Sequence, residues 1–394
     1  MRSTVLKDME RCCGCGACAA LCPRGAIAMQ ANAEGFLYPA IDPEACVDCG
    51  LCERRCPATR AQARGAHPAY AARTDDEAVR EASSSGGIFT LLARGVLRRG
   101  GVVFGAAMDE ELRVSHVGVM DETALGALRG SKYVQSDVDD AYHQAARLLD
   151  AGVPVLFSGT PCEIAGLYAV LDGDRENLLT VDIVCHGTPS PAVFAAYVKM
   201  LEAERGAKVT RYVFRDKRRG WKDFSVVAAF ADGTEYAAGQ TEDIFMRGFL
   251  SDLYLRRSCH DCPYVGERRP GDITLGDMWG AQVIVPDLDD DRGLSLVFTN
   301  TGKGERAFSA LGKEVVCRAT DPARNVPFCP PLVRSYKPHP KRDKFFKLFD
   351  REGFSRARVE ALLAPPSRAE RALRRALHLP AGAVRRLKEA VKKL

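Results

Sequence analysis

The chain has 394 residues, a formal net charge of +5 and 15 cysteines. That length allows two or three domains with a sizeable core, no apolar run is long enough to span a bilayer, and residues 1–10 lack the apolar segment of an export signal. So many cysteines imply a reducing compartment, and a cytoplasmic location is expected; a basic nucleic-acid face is not, because nine Lys/Arg against two acids fall between Ser367 and Leu394 and leave the rest of the chain nearly neutral.

Taken in order, the chain opens on a repeat. Cys12, Cys15, Cys18 and Cys22 precede Pro23, and Cys46, Cys49, Cys52 and Cys56 precede Pro57. Each half reads C-x-x-C-x-x-C-x-x-x-C-P, the bacterial ferredoxin run, in which three thiolates of one half share a 4Fe-4S cluster with the fourth of the other. On that rule Cys12, Cys15, Cys18 and Cys56 hold one cluster, and Cys46, Cys49, Cys52 and Cys22 hold the second. Thiolates so closely spaced converge only on a tight loop, which Gly14, Gly16 and Gly50 permit. Zinc prefers its ligands in two pairs, and a disulfide framework belongs to small secreted chains; neither suits this spacing. Cys13 is a spare and is not expected as a ligand. Short strands are expected at Ala26–Met29 and Tyr38–Ile41, with no matching strand after Pro57. Residues 1–60 are therefore expected as a ferredoxin-like domain, with an Ala-, Arg-, Gly- and Pro-rich linker over 58–68.

From Ala69 strands and helices alternate. Strands are expected at Ala69–Arg73, Gly101–Ala107, Arg113–Val119, Val153–Phe157 and Leu178–Val184, and helices at Ile88–Arg98, Val138–Leu149 and Thr188–Glu204. This alternation predicts an α/β core with a parallel portion in a mixed sheet. Near Lys208 the pattern changes to strands at Val209–Phe214, Phe224–Phe230 and Glu235–Ala238, the last pair joined by an Asp232-Gly233 turn. Strands at Asp272–Leu275 and Leu294–Asn300 close a second domain over 69–336. Residues 337–394 read as a charged extension. It ends in two short basic amphipathic segments about Pro380, which either dock weakly on an anionic membrane surface or a partner, or form a solvated tail.

Six cysteines lie beyond the repeat. Cys162 and Cys185 follow predicted strands, whose C-terminal ends share one crevice in an α/β sheet. Cys259 and Cys262 form a C-x-x-C pair. Together the four suffice for a third 4Fe-4S cluster; alternatively they are small buried apolar groups with a redox-active or zinc pair. Cys317 is expected in the core. Ser83-Ser84-Ser85-Gly86-Gly87 opens a helix and offers either a phosphate cradle or a plain helix cap, and the 130–136 segment adds Lys132 and hydroxyls. No Rossmann or P-loop fingerprint is present. Asp287–Asp291 lacks the later ligands of a calcium loop and reads as a solvated turn. His186 is the one catalytic candidate, a proton donor or simply a satisfied loop histidine.

Ser84-Ser85-Gly86-Gly87, Gly130-Ser131-Lys132-Tyr133, Gly159-Thr160-Pro161-Cys162, Cys185-His186-Gly187, Phe214-Arg215-Asp216-Lys217, Cys259-x-x-Cys262-Pro263 and the Gly271–Asp277 run occur together and in order. As a set, over about residues 1–310, they resemble the coenzyme F420 hydrogenase/dehydrogenase beta-subunit family with a two-cluster ferredoxin domain in front. The resemblance implies an iron–sulfur flavoprotein that binds FAD without a Rossmann fingerprint. It implies a third cluster on Cys162, Cys185, Cys259 and Cys262. It also implies flavin contacts at Ser84, Ser85, Gly86, Gly87, Lys132, Ser158 and Thr160, with Arg215 or Lys217 facing a phosphate or an anionic substrate. Electrons would then pass from the ferredoxin-type clusters through the inner cluster to a flavin acting on an organic substrate or a deazaflavin-type coenzyme. The alternative is an electron-transfer subunit docked on a hydrogenase- or dehydrogenase-type partner; the redox donor would be a ferredoxin or such a subunit. Archaeal members act on coenzyme F420 and other relatives on other molecules, and fold alone does not choose among them.

Overall fold

The structure, a computed structural model, describes residues 4–6, 8–59, 68–138, 140–266 and 269–365. Most of the expected linker and all of the basic tail lie outside these residues. The N-terminal repeat forms two short helices, Ala17–Leu21 and Leu51–Arg54, each entered through a glycine, Gly16 at φ 74° and Gly50 at φ 70°. Those left-handed values are what the cysteine spacing demands of the loop. Between the halves, β1 (Ile27–Ala31) and β2 (Leu37–Ile41) pair antiparallel. After Pro57 the chain makes a single 3-10 turn, Pro57–Thr59, where the first half has a strand.

The body is a mixed eight-stranded sheet. Its strands are β3 (Ala69–Thr74), β4 (Val102–Met108), β5 (Val114–Val119), β6 (Val155–Gly159), β7 (Leu178–Ile183), and, after the insertion described below, β11 (Ile273–Asp277), β12 (Ser295–Thr299) and β13 (Val315–Thr320). The order is β13-β3-β12-β11-β7-β6-β4-β5. The four central strands β4, β6, β7 and β11 run parallel, and antiparallel pairs flank them on both sides. Both faces are covered, as a parallel core requires. Val103, Leu156, Leu179 and Ile273 face helices Ile88–Leu97 and Gly302–Ser309. The alternate residues Val102, Phe104, Val155 and Phe157 face helices Ala141–Asp150 and Pro161–Leu171. Asp272 locks the centre, its Oδ2 accepting from Thr180 N–H at 3.0 Å and Thr180 Oγ1 at 2.9 Å.

The insertion is an antiparallel sheet of β8 (Val209–Asp216), β9 (Ser225–Phe230) and β10 (Glu235–Gly239). It packs with helices Pro191–Arg205 and Ile244–Leu250 around an aromatic-rich core. The stretch read from sequence as a charged extension supplies part of that core: helices Arg342–Glu352 and Arg356–Leu363 bury Phe345, Phe346, Val359 and Leu362 in it. Their apolar positions are sparse among charges, so composition hides them.

Two further expectations are corrected. Cys317 is exposed, because β13 is an edge strand that pairs only with β3. Asp287–Asp291 is not a free solvated turn: Asp290 takes Arg80 through both oxygens, Asp289 takes the Lys222 ammonium, and Asp291 accepts from Lys222 N–H at 2.9 Å.

The ferredoxin-like unit is fastened to the body by buried polar groups. Arg256, 1% exposed, donates from Nε to Cys12 O at 2.7 Å and from Nη2 to Leu37 O at 3.0 Å, with its guanidinium 3.9 Å from the Tyr38 ring centre. Glu34 takes both Arg342 terminal nitrogens at 2.9 and 2.6 Å. Tyr264 Oη donates to Pro57 O at 3.0 Å. At Gly35 (φ +78°) the backbone approaches helix Pro191–Arg205 so closely that a Cβ would lie 2.2 Å from Ala192 Cβ.

Candidate functional site

The twelve cysteines singled out from sequence fall into three groups in space. Cys22, Cys46, Cys49 and Cys52 line one small cavity near the surface, where Cys49 is exposed and Val47 is 60% exposed. Cys12, Cys18 and Cys56 lie within electrostatic reach of one another, with Cys52 close to the last two, and Cys15 stands between Cys18 on one side and Cys13 and Cys162 on the other. Cys162, Cys185, Cys259 and Cys262 line a third, interior cavity. The first two of these follow the ends of β6 and β7, and the other two lie in and just after the turn Arg257–Asp261. Sulfur atoms in all three groups accept hydrogen bonds: Cys22 from Ala26 N–H at 3.3 Å, Cys12 from Arg256 Nη2 at 3.7 Å, and Cys259 from Thr188 N–H at 3.4 Å. Thr160 Oγ1 lies 3.1 Å from Cys162 Sγ.

The thiols are poorly placed to ionise unaided. Burial, then the neighbouring thiols, pushes Cys18 and Cys262 up to about 12; burial pushes Cys259 up to about 11. Several thiolates held together in a dry site need a metal cation to offset their charge. Among the described residues no three Cys, His, Asp or Glu side chains gather tightly enough to hold one bare ion. Cys13, the spare of the sequence, is half-buried with its thiol against those of Cys15 and Cys162, and it lines both the interior cavity and the crevice beside it.

That crevice, about 310 Å³, opens at the C-terminal ends of the parallel strands, where a doubly covered sheet binds ligands. Ser83, Ser84, Ser85 and Gly87 line it ahead of helix Ile88–Leu97, with Lys132, Ser158, Thr160 and Arg215. Ser131 Oγ donates to Ser84 Oγ at 3.0 Å, which ties the two sequence motifs together. Gly86 does not line the crevice. Its N–H donates to Ser295 Oγ at 3.0 Å, and a Cβ there would lie 2.4 Å from Ala72 O, so its place in the motif is explained by close packing on the sheet. The Lys132 ammonium is held by the carbonyls of Ala127 and Arg129, both at 2.8 Å, and burial lowers it to about 8. Lys217 faces away: its Nζ donates to Arg80 O at 2.6 Å and Arg292 O at 2.9 Å, and it supports the serine turn from behind. Arg215 pairs with Asp277 at 2.6 Å, whereas its Nε and Nη2 are buried with no protein acceptor. The hydroxyls of Ser83, Ser85 and Ser158 donate to the carbonyls of Val79, Leu294 and Phe104, which leaves the Ser84 hydroxyl and the unsatisfied buried guanidinium of Arg215 as the donor set that fits an anionic, oxygen-rich cofactor.

A second chamber, about 350 Å³, shares Lys132, Tyr133, Thr160, Ile183, Thr188 and Asp277 with the crevice. His186 lines it and the interior cavity. Its Nε2 lies 2.8 Å from Asp252 Oδ1 and its ring is 4.1 Å from that of Tyr336. Sequence reasoning missed Asp277 as the partner of Arg215, Arg256 at the Cys12 loop, and the aromatic walls Trp279, Phe328 and Tyr336. These residues are far apart in the chain and belong to no spacing rule; only the Gly271–Asp277 run signalled one of them.

Two clusters' worth of cysteine ligands in a ferredoxin-like unit, set against a mixed α/β body, define an iron–sulfur protein of the electron-transfer class. Family models agree. The 4Fe-4S dicluster domain matches residues 11–59, and the coenzyme F420 hydrogenase/dehydrogenase beta subunit matches through its N-terminal model at 69–142 and its C-terminal model at 154–324. The chain belongs to that beta-subunit family and carries a 4Fe-4S dicluster domain. Comparison with curated proteins gives no match. Among solved structures it is similar to a chain of the F420-reducing [NiFe] hydrogenase complex from Methanosarcina barkeri, at 17% identity and TM-score 0.44, over 75% of this chain and 92% of that one. No helix among the described residues is long and apolar enough to cross a membrane.

Proposed function

We propose that the protein is an iron–sulfur flavin-dependent oxidoreductase. Cys12, Cys15, Cys18 and Cys56, and Cys46, Cys49, Cys52 and Cys22, would hold two ferredoxin-type clusters, Cys162, Cys185, Cys259 and Cys262 would hold a third 4Fe-4S cluster, and the crevice would hold FAD, with an organic substrate or deazaflavin-type coenzyme as the reaction partner. The observation that carries this reading is that Cys162 and Cys13 line both the four-cysteine cavity and the crevice, so the two sites share a wall. Bound there, clusters supply single-electron transfer and a flavin exchanges single electrons for a hydride.

The chain's own residues then divide the work. Ser84 and Arg215 offer donors to the anionic parts of the cofactor, and Ser85, which donates to Leu294 O, holds the turn in place. Thr160 and Thr188 orient Cys162 and Cys259 through their hydrogen bonds to sulfur. Val181, Leu275 and Ile88 keep the crevice floor dry. The exposed edge at Val47 and Cys49 is the place for a redox donor to approach, whether a ferredoxin or a dehydrogenase-type subunit. It equally suits the alternative, in which this chain is an electron-transfer subunit with little activity alone. The test is Cys259→Ser together with Cys262→Ser, purified without oxygen. The reading expects roughly four irons to be lost per chain while the ferredoxin-type signal persists; full iron retention would sink the third cluster.

A further inference from the structure

We infer that Cys13 is a positioning residue: its thiol donates a hydrogen bond to the Cys162 sulfur and so raises the midpoint potential of the cluster that Cys162 holds. This rests on the third-cluster reading. Cys13, Cys162, Cys185, Cys259 and Cys262 all line the interior cavity, and a four-iron cluster takes only four of them. Cys13 is the odd one out, because it comes from the ferredoxin-like unit, between Cys12 and Cys15 of the repeat. Its thiol lies against those of Cys15 and Cys162. Cys15 does not line the interior cavity, which makes Cys162 the partner on that side.

The position is built rather than incidental. Carbonyls on both sides of Cys13 are taken by buried side chains of the body. Arg256 Nε donates to Cys12 O at 2.7 Å, Gln135 Nε2 to Gly14 O at 3.3 Å, and Tyr142 Oη to Cys15 O at 2.9 Å. The same Tyr142 hydroxyl lies 2.8 Å from Glu163 O, one residue beyond Cys162, so one buried group sets the spacing between the two cysteine-bearing turns. The loop is tightly enclosed: a Cβ at Gly14 would lie 2.5 Å from Gln135 Nε2 and 2.7 Å from Arg256 Nη1. With Cys15 and Cys162 both acting as thiolate ligands, Cys13 carries the one thiol proton between them. A reduced cluster holds one more negative charge than an oxidised one. A donor aimed at a ligand sulfur offsets that charge and favours the reduced form. Thr160 Oγ1, 3.1 Å from Cys162 Sγ, serves the same sulfur from its own turn.

The test is an EPR-monitored redox titration of the full chain, purified without oxygen and assayed first for iron. The inner cluster's signal is the one missing from the protein carrying Cys259→Ser and Cys262→Ser. Cys13→Ala should keep its iron, and its inner cluster should show a reduced-to-oxidised ratio severalfold below the parent's at the same solution potential. At least one other cluster should be unmoved, because Cys22, Cys46, Cys49 and Cys52 line a separate cavity without Cys13. Cys13→Ser keeps a donor and should restore most of the parent's ratio. An unmoved inner signal in Cys13→Ala, a uniform shift of all three clusters, or a serine variant no different from alanine overturns the inference. So does the loss of about four irons from Cys13→Ala, which would make Cys13 a ligand. A parent protein with about eight irons would instead overturn the third-cluster reading, and the inference with it.

Discussion

Arg256 shows how one side chain joins two parts of the molecule. Its guanidinium is buried against Tyr38 and Phe36 and satisfies the carbonyls of Cys12 and Leu37. Arg256→Met would leave those carbonyls unpaired in the interior, at a cost of about 2–4 kcal/mol. The unfolding midpoint in denaturant should fall accordingly, and an unchanged midpoint would show that the contact is dispensable. Lys132 gives a pH prediction. Burial lowers its ammonium to about 8, so the cation is present below that pH and is lost as pH rises through it. If the cation helps hold an anionic flavin, the flavin dissociation constant should rise severalfold between pH 7 and pH 9, and Lys132→Gln should abolish that dependence. A flat profile in the unsubstituted protein would remove Lys132 from the site. Neither Arg256 nor the position of Cys13 was legible in the sequence: Arg256 follows no motif, and Cys13 departs from the cysteine spacing, so its place between Cys15 and Cys162 depends on how two domains meet.

Strands and helices were far more legible than single residues. The period-two pattern at Val102–Phe104 and Val155–Phe157 does put alternate residues on opposite faces of the sheet. Which strand ends at an edge was not legible, because β13 reads like any apolar strand until its neighbours are known; Cys317 is exposed for that reason. Helix Arg342–Glu352 was obscured by its charges, although Phe345 and Phe346 are buried. Close approach between elements likewise escapes a one-dimensional reading. Gly35 sits where β1 turns toward β2, and any Cβ there collides with Ala192 in a backbone conformation that already disfavours side chains. Gly35→Ala should destabilise the protein by about 2–4 kcal/mol through overpacking and strain. Thermal unfolding checks this, and a midpoint within error of the parent would mean that the hairpin yields freely.

At the scale of the whole molecule, one set of cysteines lines a cavity with exposed Cys49 and Val47 at its edge, and another lines an interior cavity that shares Cys13 and Cys162 with the crevice. The ferredoxin-like half of this arrangement was written in the cysteine spacing. The inner half was not, since Cys162, Cys185, Cys259 and Cys262 come from three places in the chain that only the fold of the sheet brings together. The direct measurement is iron, acid-labile sulfide and extractable flavin per chain on protein purified without oxygen. The account predicts about twelve irons, about as many sulfides and one FAD. About eight irons and no flavin would contradict it, leaving a ferredoxin-type domain on a body whose four inner cysteines hold no cluster.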